Sequence, residues 1–162
     1  ISCSDCCSSV LRSSASSCRP SFSARSIIRL TIQAALAFNN KLAVLEMTGE
    51  QLLATMENAV SRVPALDGRF PQVAGMSYAF DPAQPPGSRI SDVMVGGAPI
   101  DPDKLYGVVS NNYVRNGGDG FEMFKDAQNA YDFGPDLADV TAEFIAANAP
   151  YTPYKDGRIT EK

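Results

Sequence analysis

A break in composition near residue 26 limits where this chain can build a folded core. Residues 1–26 are rich in serine and contain all four cysteines of the chain. A serine-rich, apolar-poor segment buries too little surface to offset the conformational entropy lost on ordering. An abrupt change of this kind is also what a disturbed reading frame would produce. We therefore expect residues 1–26 to be disordered or non-native, and residues 27–162 to form a single domain.

The four cysteines leave a small metal or redox module open as a weaker alternative. They are Cys3, Cys6, Cys7 and Cys18. A structural zinc site takes four cysteine or histidine ligands, and neither a second CxxC pair nor a histidine completes such a set here. The sequence therefore predicts no metal site. Stoichiometric zinc that is lost on substitution of a cysteine would be needed to revive the alternative.

The absence of histidine from all 162 residues restricts the chemistry open to this chain. Imidazole is the commonest ligand of catalytic transition metals and the commonest general base near neutral pH. Because carboxylate, lysine and tyrosine side chains are not clustered in its place, we predict no catalytic residue. The formal net charge of -4 gives no electrostatic reason to bind nucleic acid. No apolar stretch reaches the roughly 20 residues of a membrane-spanning helix, so neither nucleic acid nor membrane is an expected partner.

The first half of the domain alternates between helix and strand signals. Apolar residues recur at helical spacing over 26–37, and a short apolar run over 42–47 predicts a strand that is buried on both faces. Thr48 and Gln51 form a capping box at the start of the next helix. Its apolar face continues to Val63, and we expect Pro64 to end it.

The second half contains more strand signals. Alternation over 73–81 predicts a strand with one buried side, and further strands are predicted over 90–95 and 105–110. A last helix is expected to begin near Pro135 and to end before Pro150. Its predicted buried stripe consists of Leu137, Val140, Phe144 and Ile145. Since the elements mix without βαβ regularity, we predict an α+β domain with a mixed, largely antiparallel sheet packed by helices.

The segment over 111–121 is the most distinctive of the chain and reads Asn-Asn-Tyr-Val-Arg-Asn-Gly-Gly-Asp-Gly-Phe. Three glycines within four positions allow a sharp turn and a close approach of backbone to a ligand. Tyr113 offers a ring that can stack on a nucleobase, and Asp119 offers a carboxylate that can accept two hydrogen bonds from a ribose diol. The alternative is a plain glycine-rich turn in which Asp119 caps the next element.

Two further segments join this loop in a recognisable combination. One reads Phe-Asn-Asn-Lys-Leu over 38–42 and leads to Thr-Gly at 48–49 before a leucine-rich helix. The other reads Gly-Arg-Phe-Pro-Gln-Val-Ala-Gly over 68–75. Together with the loop over 113–121, they resemble the C-terminal domain of bacterial and animal 5'-nucleotidases and UDP-sugar hydrolases. Order and spacing agree with the family from about residue 27 to residue 160.

The resemblance implies a role for particular residues. Phe38 and Tyr113 are expected to sandwich the base, and Asp119 to bind the ribose hydroxyls. Tyr113 stands where the family often has phenylalanine, which keeps the stacking face and adds a hydroxyl.

Three further residues complete the implied binding site. Asn40 is expected near the base or sugar, and the backbone around Gly68 and Asn116 is expected to line the pocket. The alternatives are core packing for Phe38, a strand-entry turn for Asn40 and a simple turn for Gly68.

The sequence departs from the family upstream of Phe38. Family members carry there a glycine-rich segment that ends in an arginine which helps hold the substrate. Neither Arg25 nor Arg29 can be assigned this role, and a disturbed reading frame would explain the difference.

The resemblance also implies a division of labour between two domains. Full-length relatives carry an N-terminal metallophosphoesterase domain in which two divalent metal ions activate water. This chain is expected to bind no cofactor itself and to supply nucleoside or nucleotide recognition, with that metal-bearing domain as its partner. The family places such an enzyme in the periplasm or outside the cell. The alternative is a non-catalytic nucleotide-binding or scaffold domain left by truncation or gene decay. The choice among adenosine, other nucleosides, cyclic nucleotides and sugar nucleotides stays open.

Overall fold

The computed structural model describes residues 24–65 and 67–162, with side chains from residue 29 onward. The expectations for the cysteines and for most of the segment over 1–26 lie outside these residues. The chain forms four helices and seven strands in this described part: α1 Ala24–Ala35, β1 Leu42–Thr48, α2 Gly49–Val60, β2 Met76–Phe80, β3 Ile90–Val95, β4 Ala98–Pro99, β5 Leu105–Asn111, α3 Asn112–Arg115, β6 Gln128–Tyr131, α4 Leu137–Ala147 and β7 Ile159–Glu161. Short 3-10 turns cover Val63–Ala65, Gly118–Gly120 and Glu122–Phe124.

The strands are divided between two sheets. The first sheet has the order β5-β1-β6, and both of its strand pairs are antiparallel. The second has the order β4-β3-β2-β7, in which β7 runs parallel to β2 and the other pairs are antiparallel. The predicted α+β class with mixed, largely antiparallel pairing is confirmed.

Helix α2 links the two sheets through the core. Its N-terminus is the predicted capping box: the Thr48 backbone N–H donates to Gln51 Oε1 at 2.9 Å, and the Gln51 backbone N–H donates to Thr48 Oγ1 at 3.3 Å. One side of α2 packs in a first core cluster and the other side in a second. The first cluster consists of Leu45, Met47, Ala59, Phe121 and Phe124. The second consists of Met56, Val60, Tyr78, Phe80 and Val93. Burial of each large side chain contributes roughly 1.5–3 kcal/mol, so α2 is central to stability.

Three details of the predicted elements are wrong. Strand β1 is buried on one face only, because the alternate residue Val44 is exposed while Leu45 and Met47 are fully buried. Helix α2 ends at Val60, and Val63 and Pro64 belong to a separate 3-10 turn. The strand predicted over 73–81 begins only at Met76.

The last helix also differs from its prediction. It begins at Leu137 because the Asp136 carboxylate caps it, accepting from the Ala138 N–H at 2.9 Å. The predicted stripe is only partly buried: Phe144 is 56% exposed, the other three residues are half-buried, and Ala138 is the buried residue of this helix. The reason is that α4 packs against α1, with an Arg29–Asp139 ion pair at 2.8 Å, and not against the core clusters.

Neither a membrane-spanning helix nor a metal-binding cluster occurs in the part of the chain that the structure describes. Each of its helices is too short or too polar to cross a bilayer. Histidine, cysteine, aspartate and glutamate side chains do not gather there into groups that could hold a metal ion.

Candidate functional site

The loop over 111–121 is held at both ends by the first core cluster. It leaves β5 at Asn111, whose side chain caps the single turn of α3 by accepting from the Val114 N–H at 2.9 Å. Val114 packs against the cluster, and Phe121 lies inside it. The Phe121 ring meets the Phe124 ring edge to face, with 5.8 Å between the ring centroids. These two apolar anchors fix the glycine-rich part of the loop between them.

Tyr113 and Asp119 meet within this loop. The Tyr113 hydroxyl donates to Asp119 Oδ1 at 3.1 Å, and the ring stays 51% exposed. The ring packs on the backbone of Gly118, where an added Cβ would lie only 2.6 Å from ring atoms Cδ1 and Cζ. Gly118 therefore makes room for the ring. The glycine pattern alone does not predict which of the three glycines has this role.

Asp119 adopts an unusual backbone conformation. Its φ of 53° and ψ of 26° lie in the left-handed region, and Gly117 and Gly120 on its two sides also have positive φ. A residue with a side chain in this region costs roughly 1–3 kcal/mol unless its surroundings fix it, and such strain concentrates at functional sites. The resulting turn leaves Asp119 on the surface of the loop.

Asn116 ends the helical turn that carries Tyr113. Its backbone N–H donates to the Asn112 carbonyl at 3.1 Å, and its side-chain amide donates to the same carbonyl at 2.7 Å. Asn116 therefore lies in the same loop as Tyr113 and Asp119, with its side chain engaged in closing α3.

Phe38 is an exposed ring on an adjoining loop. It is 86% exposed, so the alternative that it packs in the core is wrong. Its loop is joined to the start of α3 because the Lys41 N–H donates to Asn112 Oδ1 at 2.8 Å and the Asn112 N–H donates to the Lys41 carbonyl at 3.0 Å. The structure thus brings the Phe38 loop and the Tyr113 loop side by side.

Asn40 and Gly68 lie on different sides of this arrangement. Asn40 is half-buried, and its carbonyl accepts from the Leu137 N–H at 2.8 Å, which fixes the Phe38 loop against the start of α4. Gly68 is exposed and lines a cleft of about 620 Å³ together with Asp119. Phe38, Asn40, Tyr113 and Asn116 do not line that cleft. Asp119 therefore lies between two parts of the site: the exposed ring of Tyr113 on one side and the cleft lined by Gly68 on the other.

A polar network that no sequence pattern predicts joins the Gly68 turn to Asp119. The Arg69 backbone N–H donates to the Asp67 carboxylate at 3.1 Å, which is the main reason why the pKa of Asp67 lies below its usual 3.8. Arg69 Nη1 donates to Asn58 Oδ1, and Asn58 Nδ2 donates to the Asp119 carbonyl, both at 3.4 Å. No sequence signal identifies this network, because Asn58 and Asp119 are 61 residues apart.

The described residues of this site offer two kinds of group that can contact a ligand. The exposed rings of Phe38 and Tyr113 each offer stacking surface, and Asp119 offers acceptor oxygens. The α+β fold thus presents these groups on the surface of two adjoining loops.

Comparison with known proteins identifies the family. The sequence profile described as "5'-nucleotidase, C-terminal domain" matches residues 11–126, a stretch that begins inside the serine-rich segment. The chain belongs to the family of 5'-nucleotidase C-terminal domains.

Several relatives agree with this assignment. The chain is 33% identical over 137 residues to a 5'-nucleotidase of Diplobatis ommata, covering 80% of this chain and 24% of the relative. It is 34% identical over 132 residues to a trifunctional nucleotide phosphoesterase of Bacillus subtilis, covering 78% of this chain and 9% of the relative. The crystal structure of a 5'-nucleotidase precursor from Thermus thermophilus superimposes with a TM-score of 0.77 at 38% identity, covering 80% of this chain and 27% of that one. The chain thus spans about a quarter or less of the length of these relatives.

Proposed function

We propose that this chain is the substrate-recognition domain of a 5'-nucleotidase-type phosphohydrolase. In this proposal it binds the nucleoside part of a nucleotide and positions the phosphate for a metal-bearing N-terminal domain of the parent enzyme. The observation that carries the proposal is the Tyr113–Asp119 hydrogen bond at 3.1 Å, which places a stacking ring and a carboxylate together. The exposed Phe38 ring on the adjoining loop supplies a second stacking surface.

The proposed site divides the recognition of a nucleoside between rings and carboxylate. A base that stacks on Tyr113 or Phe38 gains about 1–3 kcal/mol per contact, largely without regard to base identity. An ionised carboxylate has about four lone-pair positions, and the Tyr113 hydroxyl occupies one of them on Asp119. The remaining positions can accept both hydroxyls of a ribose diol. The backbone around the ligand would be provided by the segments that contain Asn40, Gly68 and Asn116.

The chemistry of phosphate release is assigned to the other domain. Two divalent metal ions held there would activate water and stabilise the phosphoryl charge. This chain has no histidine, and its own contribution is orientation of the substrate, which can account for a large part of an enzyme's rate. The proposed setting of the parent enzyme is periplasmic or extracellular, and the proposed process is nucleotide breakdown.

Calorimetric titration of the purified chain with adenosine tests binding. We expect Tyr113→Ala to weaken affinity about tenfold or more through loss of stacking, and Asp119→Ala to do so through loss of the ribose acceptors. Tyr154→Ala and Asp126→Ala are matched controls, because both residues are exposed and lie outside the site. Affinity that is unchanged in both site variants, or no binding at millimolar adenosine, would contradict the proposal.

Complementation distinguishes the recognition domain from a non-catalytic scaffold domain. Addition of the metallophosphoesterase domain of a relative should restore release of phosphate from a nucleoside monophosphate only if this chain still presents substrate. The Asp119→Ala variant should fail in the same assay. Hydrolysis that is equal with and without this chain would favour the scaffold alternative.

A further inference from the structure

Asp119 accepts two hydrogen bonds, one from its own loop and one from helix α2. The Tyr113 hydroxyl holds its side chain, while its main-chain carbonyl accepts a hydrogen bond from Asn58 Nδ2 of helix α2 at 3.4 Å. We propose that Asn58, oriented by Arg69, is a positioning residue that holds Asp119 in its left-handed conformation for ribose binding. This inference rests on the nucleoside-binding function proposed above.

Arg69 sets the direction in which the Asn58 amide points. A side-chain amide has an acceptor oxygen and a donor nitrogen on opposite sides. Because Arg69 Nη1 donates to Asn58 Oδ1 at 3.4 Å, the nitrogen of Asn58 faces the Asp119 carbonyl. The flipped amide would place two oxygens against each other at the loop and leave Arg69 facing an NH₂ group.

Arg69 is itself anchored by the turn that contains Gly68. Its side chain is 15% exposed, and its Nε donates to Asp67 Oδ1 at 3.2 Å in addition to the backbone N–H bond to the same oxygen. A hydrogen bond to an ionised partner is about twice as strong as a neutral one, and the lowered pKa of Asp67 keeps this carboxylate ionised. The anchor therefore persists over the whole neutral range.

The Asn58–Arg69 pair packs directly against the loop. A Cβ added at Gly120 would lie 3.4 Å from Asn58 Oδ1 and 3.6 Å from Arg69 Nη1. Helix α2 is held in both core clusters, so it provides a rigid support behind the strained turn. Hydrogen bonds of 3.4 Å are longer than the usual range of about 2.7–3.2 Å and therefore weak, so we expect severalfold effects and not complete loss.

The first arm of the test uses no ligand. The Phe121 N–H donates to the Gly118 carbonyl at 3.1 Å and closes the turn around Asp119, so its hydrogen exchange measured by NMR reports on that conformation. We expect severalfold faster exchange in Asn58→Ala and in Arg69→Gln. The Lys125 N–H, which donates to the Glu122 carbonyl in the next turn, should exchange at the same rate in all variants.

Two matched controls separate positioning from general effects. Arg62→Gln removes a charge that pairs with the same Asp67 carboxylate at 3.3 Å, from an exposed side chain. Asn148→Ala removes an asparagine amide that donates to a backbone carbonyl, that of Phe144 in α4, at 2.8 Å. Neither control should change the exchange rate of the Phe121 N–H.

The second arm measures the preference for adenosine over 2'-deoxyadenosine. Since Asp119 is the proposed ribose acceptor, the wild-type chain should prefer adenosine, and the ratio of the two affinities should fall severalfold in Asn58→Ala and Arg69→Gln. A loss of packing alone would lower the affinity for both ligands equally and leave the ratio of the two affinities unchanged. Thermal unfolding of each variant checks that the fold is intact.

Three results would overturn the inference. They are an unchanged Phe121 exchange rate in both variants, an equal change in Arg62→Gln, or an unchanged ligand ratio in variants whose exchange has changed. If the wild-type chain binds no adenosine, the nucleoside-binding function fails by itself, and the exchange rates still decide whether Asn58 and Arg69 hold Asp119.

Discussion

At the scale of single residues, the proposed site depends on a glycine that makes room for an aromatic ring. Gly118 carries the ring of Tyr113 on its backbone, and an added Cβ would lie 2.6 Å from ring atoms Cδ1 and Cζ. In Gly118→Ala we expect the ring to swing away and the bond to Asp119 to break, with adenosine affinity reduced about tenfold or more. Calorimetry checks this.

A variant outside the cleft controls for the effect of extra side-chain bulk. Ala98 lies on the exposed strand β4 and does not line the cleft that contains Gly68 and Asp119. Ala98→Val should bind adenosine as the wild type does. Equal affinity in Gly118→Ala and wild type would show that the ring position does not matter for binding.

Tyr78 is a second residue-scale case, in which burial works against a polar group. Its side chain is 2% exposed, and its hydroxyl has no hydrogen-bond partner among the described residues. Burial raises the pKa of Tyr78 to about 12 from its usual 10.0. A raised folded-state pKa contributes stability that is complete below pH 10 and is lost as the pH rises towards 12.

The difference in the free energy of unfolding between Tyr78→Phe and the wild type should therefore grow as the pH rises. Removal of an unpaired buried hydroxyl is expected to be neutral or stabilising by about 1 kcal/mol at neutral pH. The variant also loses the ionisable group, so its advantage should increase between pH 8 and pH 11. Urea unfolding at the two pH values measures the gap, and a gap that stays constant would contradict the assigned pKa.

At the scale of elements, helix α2 depends on its first turn. The Thr48 side chain accepts from the Gln51 N–H at 3.3 Å and ends β1 at the point where α2 begins. Thr48→Ala should cost about 1 kcal/mol in the free energy of unfolding, measured by urea denaturation. Thr152→Ala, at an exposed position outside the helices and strands, should change stability much less. An equal loss in both variants would argue against the cap.

The elements also show what a sequence can predict. The capping box, β1, β3 and β5 follow from local patterns, and the structure confirms them. Strands β6 and β7 were missed, since all four residues of β6 are exposed and β7 pairs in parallel with β2 about 80 residues earlier. Neither gives a local apolar signal.

The candidate site shows the same limit. The glycine pattern of one loop predicts that Tyr113 and Asp119 lie close together, whereas Asn116 follows only from the family resemblance. The contact of that loop with the Phe38 loop depends on β1–β5 pairing, and the Asn58 contact depends on helix packing. Such contacts arise only from the tertiary structure, so no pattern within one segment reveals them.

At the scale of the whole molecule, one face of the first sheet is apolar and exposed. Val109 on β5 is 64% exposed and lies beside Val44 of β1, which in turn lies beside Tyr131 of β6. The Phe133 ring extends this row through an edge contact with the Tyr131 ring, with 6.1 Å between the ring centroids. Contiguous apolar surface of this kind favours association. We therefore expect the isolated chain to self-associate as its concentration rises.

Val109→Lys should weaken this association, because a charge at one end of the row must be desolvated when two copies meet. Sedimentation velocity over a concentration series should show a smaller weight-average mass for the variant than for the wild type. Ala98→Lys, on the exposed strand β4 of the other sheet, adds the same charge elsewhere and should leave the mass unchanged. If both variants reduce association equally, net charge and not this face controls it, and the apolar row has no role in contacts between copies.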